Sequence, residues 1–281
     1  MNNNKNENIN EEAKTESAVV SVKARLLEEI KNIKNESYDF GKDLVISEVH
    51  LENTKLTETV DEIFIKLKEQ YTHTHLLISN LVGGKSLTEQ ESEKRIKYLL
   101  DWMARATRPE QGKLDDAIVF RGNERTGKTA LPETFFKYLF NNYVTFDNSK
   151  LKSEFNTGID GAEFIFCEEV DISYKKSSKT FFKLKEYITD SLIELITKNK
   201  DSEIVNNSFN MMFAQNMGNS LELEYPNRRY TVFVTGEDSL FDLVSEKFGY
   251  QDIDGEFFGR IRDFERDDFL KDLLNISCNK S

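Results

Sequence analysis

The residues of this chain with the strongest chemical signature form one loop, Gly122-Asn123-Glu124-Arg125-Thr126-Gly127-Lys128-Thr129. A glycine, four residues and then Gly-Lys-Thr suit a polyphosphate. Gly122 and Gly127 permit backbone angles closed to other residues, so successive N–H groups can turn inward around an anion. Lys128 then reaches the β- and γ-phosphates, and the Thr129 hydroxyl sits on Mg2+. ATP and Mg2+ are therefore the expected cofactors. A second reactive pair, Glu168 and Glu169, closes the apolar run Phe164-Ile-Phe-Cys. One acid holds the metal shell and the next polarises a water for in-line attack on the γ-phosphate. Glu168 is assigned to the metal with Thr129 and Glu169 to the water, with Asp171 as the substitute. Asn216, ending the apolar run 209–215, is placed to hydrogen-bond the γ-phosphate or the attacking water. Arg228 and Arg229 precede the run Tyr230-Thr-Val-Phe-Val, where a guanidinium can stabilise charge on a transferring phosphoryl group.

These groups need elements to position them. Residues 117–120 read as a short buried strand and 130–140 as a helix, the strand–loop–helix setting that a phosphate loop requires. Pro132 fits that helix because N–H groups of a first turn lack intrahelical partners. Strands are expected at 143–146, 164–167, 209–216 and 230–234. Residues 193–206 alternate around a Lys198-Asn-Lys200-Asp tip and read as a β-hairpin. Between 175 and 200 there are seven lysines against Glu186, Asp190 and Glu194, a basic strip in an acidic chain. Lysines at a hairpin tip suit a phosphate backbone, so Lys198 and Lys200 are the candidates to grip one.

Upstream, residues 1–17 are rich in Asn, Glu and Lys and read as a disordered tail. Helices are expected from 18 to 33 and around Val60, Ile63, Phe64 and Leu67, with a short strand at Leu44-Val-Ile46 between them. In YTHTHLLI, alternation places His73 and His75 on one side of a strand, but no third metal ligand stands near. Gly83-Gly84 reads as a turn, and Thr88-x-x-Glu91 as a capping box. The helix it opens buries Ile96, Leu99, Leu100 and Met103, with Trp102 flanking that face. Arg108-Pro109 ends it. The domains expected are thus a tail (1–17), a helical N-terminal domain (18–110), an α/β core with a parallel sheet (111–240) and a short helical C-terminal segment (241–281), whose apolar residues include Phe257, Phe258, Phe264 and Phe269.

Composition narrows the class. The 281 residues are 38% hydrophobic and 31% charged, with 38 basic against 50 acidic side chains and a net charge of −12. That balance excludes a protein that coats nucleic acid with its whole surface, but leaves room for a local basic channel. No apolar run is long enough to span a bilayer, and the amino terminus carries no secretory pattern. Cys167 and Cys278 form no disulfide framework or metal spacing, so a reducing cytoplasm is the expected compartment.

The order GNERTGKT, FIFCEEVD, lysine hairpin, strand ending in Gln-Asn, then Asn-Arg-Arg-Tyr resembles the ATPase domain of superfamily 3 helicases, and in particular the helicase part of phage and plasmid primase-helicases. The resemblance covers about residues 95–240. It implies a P-loop NTPase core of AAA+ type, a hexameric ring around single-stranded DNA and ATP sites between subunits. By position it makes Glu168 and Glu169 the Walker B pair and Asn216 the sensor. Arg228 or Arg229 becomes the finger given to the neighbouring subunit, and Lys198 or Lys200 the pore contact. This chain departs from the pattern in lacking room for a primase domain, so a separate polypeptide would prime. Its C-terminal segment is also too small for a winged helix, and Gln215 stands before Asn216 where the family carries Ser or Thr. The function expected is an ATP-dependent DNA helicase or translocase of a phage or plasmid type element. Rival readings are a small-molecule kinase, a DNA-packaging or remodelling ATPase, and a nucleotide-dependent initiation or scaffold protein that hydrolyses little.

Overall fold

In the computed structural model the described residues are 58–108, 113–153, 156–169, 179–217 and 228–277. The expected tail, first helix and strand at 44–46 lie outside them, as do Pro109, Asp171, Lys175, Lys176 and Cys278.

The chain is a mixed α/β structure around one parallel sheet. Among the described residues three helices come first: α1 (Val60–Glu69), α2 (Thr72–Val82) and α3 (Glu89–Ala106). Thr59 and Thr88 open α1 and α3 with capping boxes, each threonine hydroxyl accepting from the amide of a glutamate three residues on. Then follow β1 (Ala117–Gly122) and α4, covering 130–139, whose first turns from Pro132 to Phe136 are widened. Next come β2 (Tyr143–Phe146), α5 (Asn148–Lys152), β3 (Phe164–Cys167) and α6 (Lys179–Thr189). The hairpin strands β4 (Leu192–Leu195) and β5 (Glu203–Asn206) lead to β6 (Asn210–Asn216), β7 (Tyr230–Val234) and α7 (Leu240–Phe248). Helical turns over 253–265 run into α8 (Arg266–Asn275).

The sheet order is β2-β3-β6-β1-β7, all parallel, while β4 and β5 pair antiparallel as the expected hairpin. Parallel strands buried on both faces favour continuous apolar runs, which is how Ala117–Phe120 of β1, all of β3 and Met211–Ala214 of β6 read. Ile118, Phe120, Phe164, Phe166, Met212 and Phe233 face a core shared with α1–α4, α7 and α8. Ala117, Val119, Ile165, Cys167, Met211 and Phe213 face the other core, built with α6 and the hairpin. From β1 the chain crosses to the far edge at β2, returns through β3 to β6, and then passes over β1 to β7. The order therefore reverses beside β1, and a crevice forms at the carboxyl ends of β1 and β6.

Several expectations are corrected. YTHTHLLI is not a strand: His73 and His75 lie in the first turns of α2, where Thr74, Leu77, Ile78, Leu81 and Val82 are buried at helical spacing. The Glu265 carboxylate accepts from the amides of His73 (3.1 Å) and Thr74 (2.8 Å), satisfying a helix N-terminus from a distance of 191 residues in sequence. Trp102 does not flank the α3 face. It is fully buried, with its indole N–H donating to the Asp116 carbonyl at 3.3 Å. Phe264, counted among the apolar C-terminal residues, is 67% exposed, with the Arg260 guanidinium 5.0 Å from its ring centre.

Candidate phosphate-loop site

The loop from Gly122 to Thr129 leaves the carboxyl end of β1, and its shape follows from its glycines and neighbours. A Cβ on Gly122 would fall inside the Thr235 side chain. Gly127 has φ +94°, and Arg125, with φ +62°, carries the left-handed turn at the loop's tip. Contacts from α2 and α7 hold the loop. Asn80 of α2, buried, donates from Nδ2 to the Thr126 carbonyl at 3.0 Å, and its own carbonyl accepts from Gly236 N at 2.7 Å. Leu240 N, at the start of α7, donates to the Arg125 carbonyl at 2.8 Å. Inside the loop, the buried Thr126 hydroxyl donates to Asn123 O at 3.0 Å. The Lys128 ammonium donates to Gly122 O at 3.1 Å and also to Asn123 O. Burial pushes the Lys128 pKa below the usual lysine range, opposed by Glu124 and Glu169.

Across the crevice, the Thr129 hydroxyl donates to Glu168 Oε1 at 2.9 Å, joining the loop to the end of β3. Glu168 N is fixed by the Phe146 carbonyl at 2.9 Å. Glu169 takes a positive φ of 50°, and its carbonyl accepts from Asn148 Nδ2 at 3.0 Å. Between the loop and β3 stands β6, whose last residue, Asn216, lies level with Gly122. Glu124, Arg125, Gly127, Lys128, Thr129, Glu169 and Asn216 line one cleft of about 310 Å3. Four expected sources of chemistry are thus brought together: the loop lysine, the hydroxyl–carboxylate pair, the second glutamate and the strand-end amide.

The donor set suits Mg2+ and a polyphosphate. Thr129 Oγ1 and Glu168 Oε1 are hard oxygens side by side, and among the described residues no group of three or more His, Cys, Asp or Glu could build a dedicated cage. A small ion of this kind takes its remaining ligands from water and phosphate. Among the described residues the amides of Gly127, Lys128 and Thr129 donate to no protein acceptor, as a phosphate cradle at a helix start requires.

The other expected residues sit elsewhere. Arg229 immediately precedes Tyr230, which pairs with Ala117 at the beginning of β1. The paired arginines thus stand at the opposite end of the sheet, six residues below Gly122, or about 20 Å at strand rise. Arg228 is exposed and cannot reach the cleft of its own chain. Lys198 and Lys200 are exposed at the hairpin tip, on either side of Asn199 in the left-handed region. Residues that sequence reasoning missed are Asn80, Leu77, Asn148, Thr235 and Leu240. Only Asn80 left a trace, as a polar residue on the apolar face of LLISNLV.

A family model described as a family of unknown function (DUF5906) matches residues 120–229, from the loop to the paired arginines. No curated protein matches the chain. Among solved structures, the apo structure of the NrS-1 C-terminal region (305–718) is similar with a TM-score of 0.58 and 21% identity, over 74% of this chain and 46% of that one. The A form apo structure of the same region is similar at 0.55 and 20% over the same shares. This chain spans about half the length of the NrS-1 region it resembles, and at such identities the likeness is one of fold.

Proposed function

We propose that the chain is a P-loop ATPase of AAA+ type that drives a ring-shaped helicase or translocase along single-stranded DNA during replication of a phage or plasmid type element. The observation that carries the reading is the Thr129–Glu168 hydrogen bond, which ties the Gly122–Thr129 loop to a strand-end acid with Asn216 between them. Lys128 swings from its own loop carbonyls to the β- and γ-phosphates. Glu169 accepts the proton of the attacking water, and Asn216 holds that water or the γ-phosphate. Thr129 and Glu168 would hold Mg2+, which would supply positive charge against the phosphoryl oxygens. Arg228 and Arg229, too far from their own cleft, serve a second copy, so the site is completed between subunits. Lys198 and Lys200 grip the strand. Residues 18–110 act as an oligomerisation collar or as a docking module for a separate primase.

The test is ATP hydrolysis with and without single-stranded DNA, for the natural chain, Lys128→Ala and Arg228→Ala/Arg229→Ala. DNA should stimulate the natural chain, both variants should be inactive, and mixing the two should restore part of the rate through mixed interfaces. Hydrolysis that ignores DNA, or two variants that never complement, would refute the shared-site motor.

A further inference from the structure

On the sheet face away from α4, the end of α5, the first turns of α6 and strand β4 enclose a cavity of about 330 Å3. Lys152, Lys179 and Lys183 line it, opposed by Glu186 and Glu194. Glu186 is already engaged, accepting from the Glu194 amide at 3.4 Å. Lys183 donates to the Ser153 carbonyl at 2.8 Å, lies 5.5 Å from the centre of the Tyr187 ring, and makes no ion pair among the described residues. With Glu186 as its opposing charge, Lys183 joins Lys152 and Lys179 to give the cavity three cations against two carboxylates.

Chain direction ties this cavity to the hairpin. α6 ends at Thr189 and β4 starts at Leu192, so β4 retraces the helix and its end returns to the first turns of α6. Ile196, just beyond that end, lines the cavity with Lys179, and the tip with Lys198 and Lys200 follows directly. Asn156 fixes the arrangement. Its amide donates to Ile196 O at 3.2 Å, its Oδ1 accepts from Ile196 N at 2.6 Å, and its Nδ2 donates to Glu194 O at 2.8 Å. The mouth is therefore held beside the tip.

We infer that this cavity receives a phosphodiester of the strand gripped by the hairpin tip, with Lys183 and Lys152 as counter-charges. The inference rests on the nucleic-acid reading above and names a second contact for that partner. Its volume lies in the range of small-ligand sites, with room for a sugar-phosphate unit and not only a bare ion. Tyr187 is 1% exposed, so its ring offers no free face for a base, and recognition is of backbone charge.

The experiment is fluorescence anisotropy of labelled oligo-dT with the full chain, titrated between about 50 and 200 mM salt. Each lost phosphate contact removes about 0.7 from the slope of log affinity against log salt, so Lys152→Gln/Lys183→Gln should lower it by about 1.4. By the same relation, affinity at about 200 mM falls about tenfold. Lys183→Arg should keep the natural slope. Should Lys183→Gln lower the melting temperature because its stem covers Tyr187, Lys152→Gln alone reads a change of about 0.7. A natural slope in both charge-removed variants overturns this inference and leaves the motor standing. Binding of millimolar inorganic phosphate by the natural chain but not by Lys152→Gln/Lys183→Gln, with oligo-dT affinity untouched by that phosphate, also overturns it, since the cavity would then hold a free ion. Absence of any oligo-dT binding by the natural chain overturns the nucleic-acid reading and this inference together.

Discussion

Gly127→Ala tests the loop geometry without reference to any ligand. Gly127 sits at φ +94°, a region that costs a residue bearing a Cβ about 1–2 kcal/mol. The added methyl would lie 2.6 Å from Leu77 Cδ1 and 3.3 Å from Leu240 Cδ2, and both leucines are buried. Overpacking of that kind costs about 1–3 kcal/mol. The expected loss is therefore about 2–5 kcal/mol, a large part of an ordinary domain's stability. Urea unfolding should read this as a lower midpoint at unchanged slope, and the melting temperature should fall by roughly 7–14 °C for a loss near the middle of that range. A double-mutant cycle separates the two causes. Leu77→Ala removes the clashing methyl, so Gly127→Ala/Leu77→Ala should be less destabilised than the sum of the singles by about 1–3 kcal/mol. A loss below about 0.5 kcal/mol in Gly127→Ala would mean that the loop has another shape in solution. Strict additivity would mean that Leu77 does not cover it.

Asn80→Leu should leave the protein folded yet lower nucleotide affinity, because Thr126 O loses its side-chain anchor while the backbone bond from Gly236 to residue 80 remains; isothermal titration with ATP reads it, and unchanged affinity refutes the anchoring role. Glu265→Gln should cost about 3 kcal/mol in urea unfolding, since an amide cannot accept from His73 N, His73 Nδ1, Thr74 N and Thr74 Oγ1 together. Burial pushes the His75 pKa from 6.5 down to about 4, with Lys247 and Lys68 adding to the shift. The folded state thus favours the neutral ring, and the stability this contributes is complete above pH 6.5 and lost as pH falls towards 4, by roughly 2–3 kcal/mol. Against the natural chain, His75→Gln should flatten stability over that window; parallel curves would refute it. Thr129→Val keeps the shape of the side chain but removes the hydroxyl, so Mg2+-dependent ATP binding should weaken while Mg2+-independent binding through Lys128 persists.

What could be read in the sequence was what adjacency along the chain determines. The loop declares itself because glycine, lysine and threonine must stand at fixed separations for one backbone turn to serve one polyphosphate. The strands β1, β3 and β6 declare themselves because burial on both faces leaves no polar alternation to confuse. The hairpin was legible for the opposite reason: Ile193 and Leu195 alternate inward against exposed Leu192 and Glu194. The α2 helix was not, because its start is satisfied by Glu265, and two histidines flanked by threonines then mimic a strand's alternation. Asn80 shows the same limit from the other side. A polar residue on an apolar helix face is a visible anomaly, yet its meaning depends on which loop lies opposite, and only the fold supplies Thr126 and Gly236.

Sheet order also decides how far each candidate can act. The glutamates and Asn216 follow strands that run parallel to β1, so their ends share an edge with the loop, and distance allows them to act in one cleft. Arg228 and Arg229 precede a strand and must lie at the other edge. From sequence, both sets look equally close to chemistry, because each borders an apolar run. In a parallel sheet the border's direction matters: residues after a strand meet the ligand edge, and residues before it are a strand length away. An arginine before β7 can touch a γ-phosphate only on a second copy of the chain. Loss of activity in Arg228→Ala/Arg229→Ala without rescue by the Lys128→Ala partner would therefore assign those arginines to folding or strand pairing, since no motion within one chain brings them to Gly122.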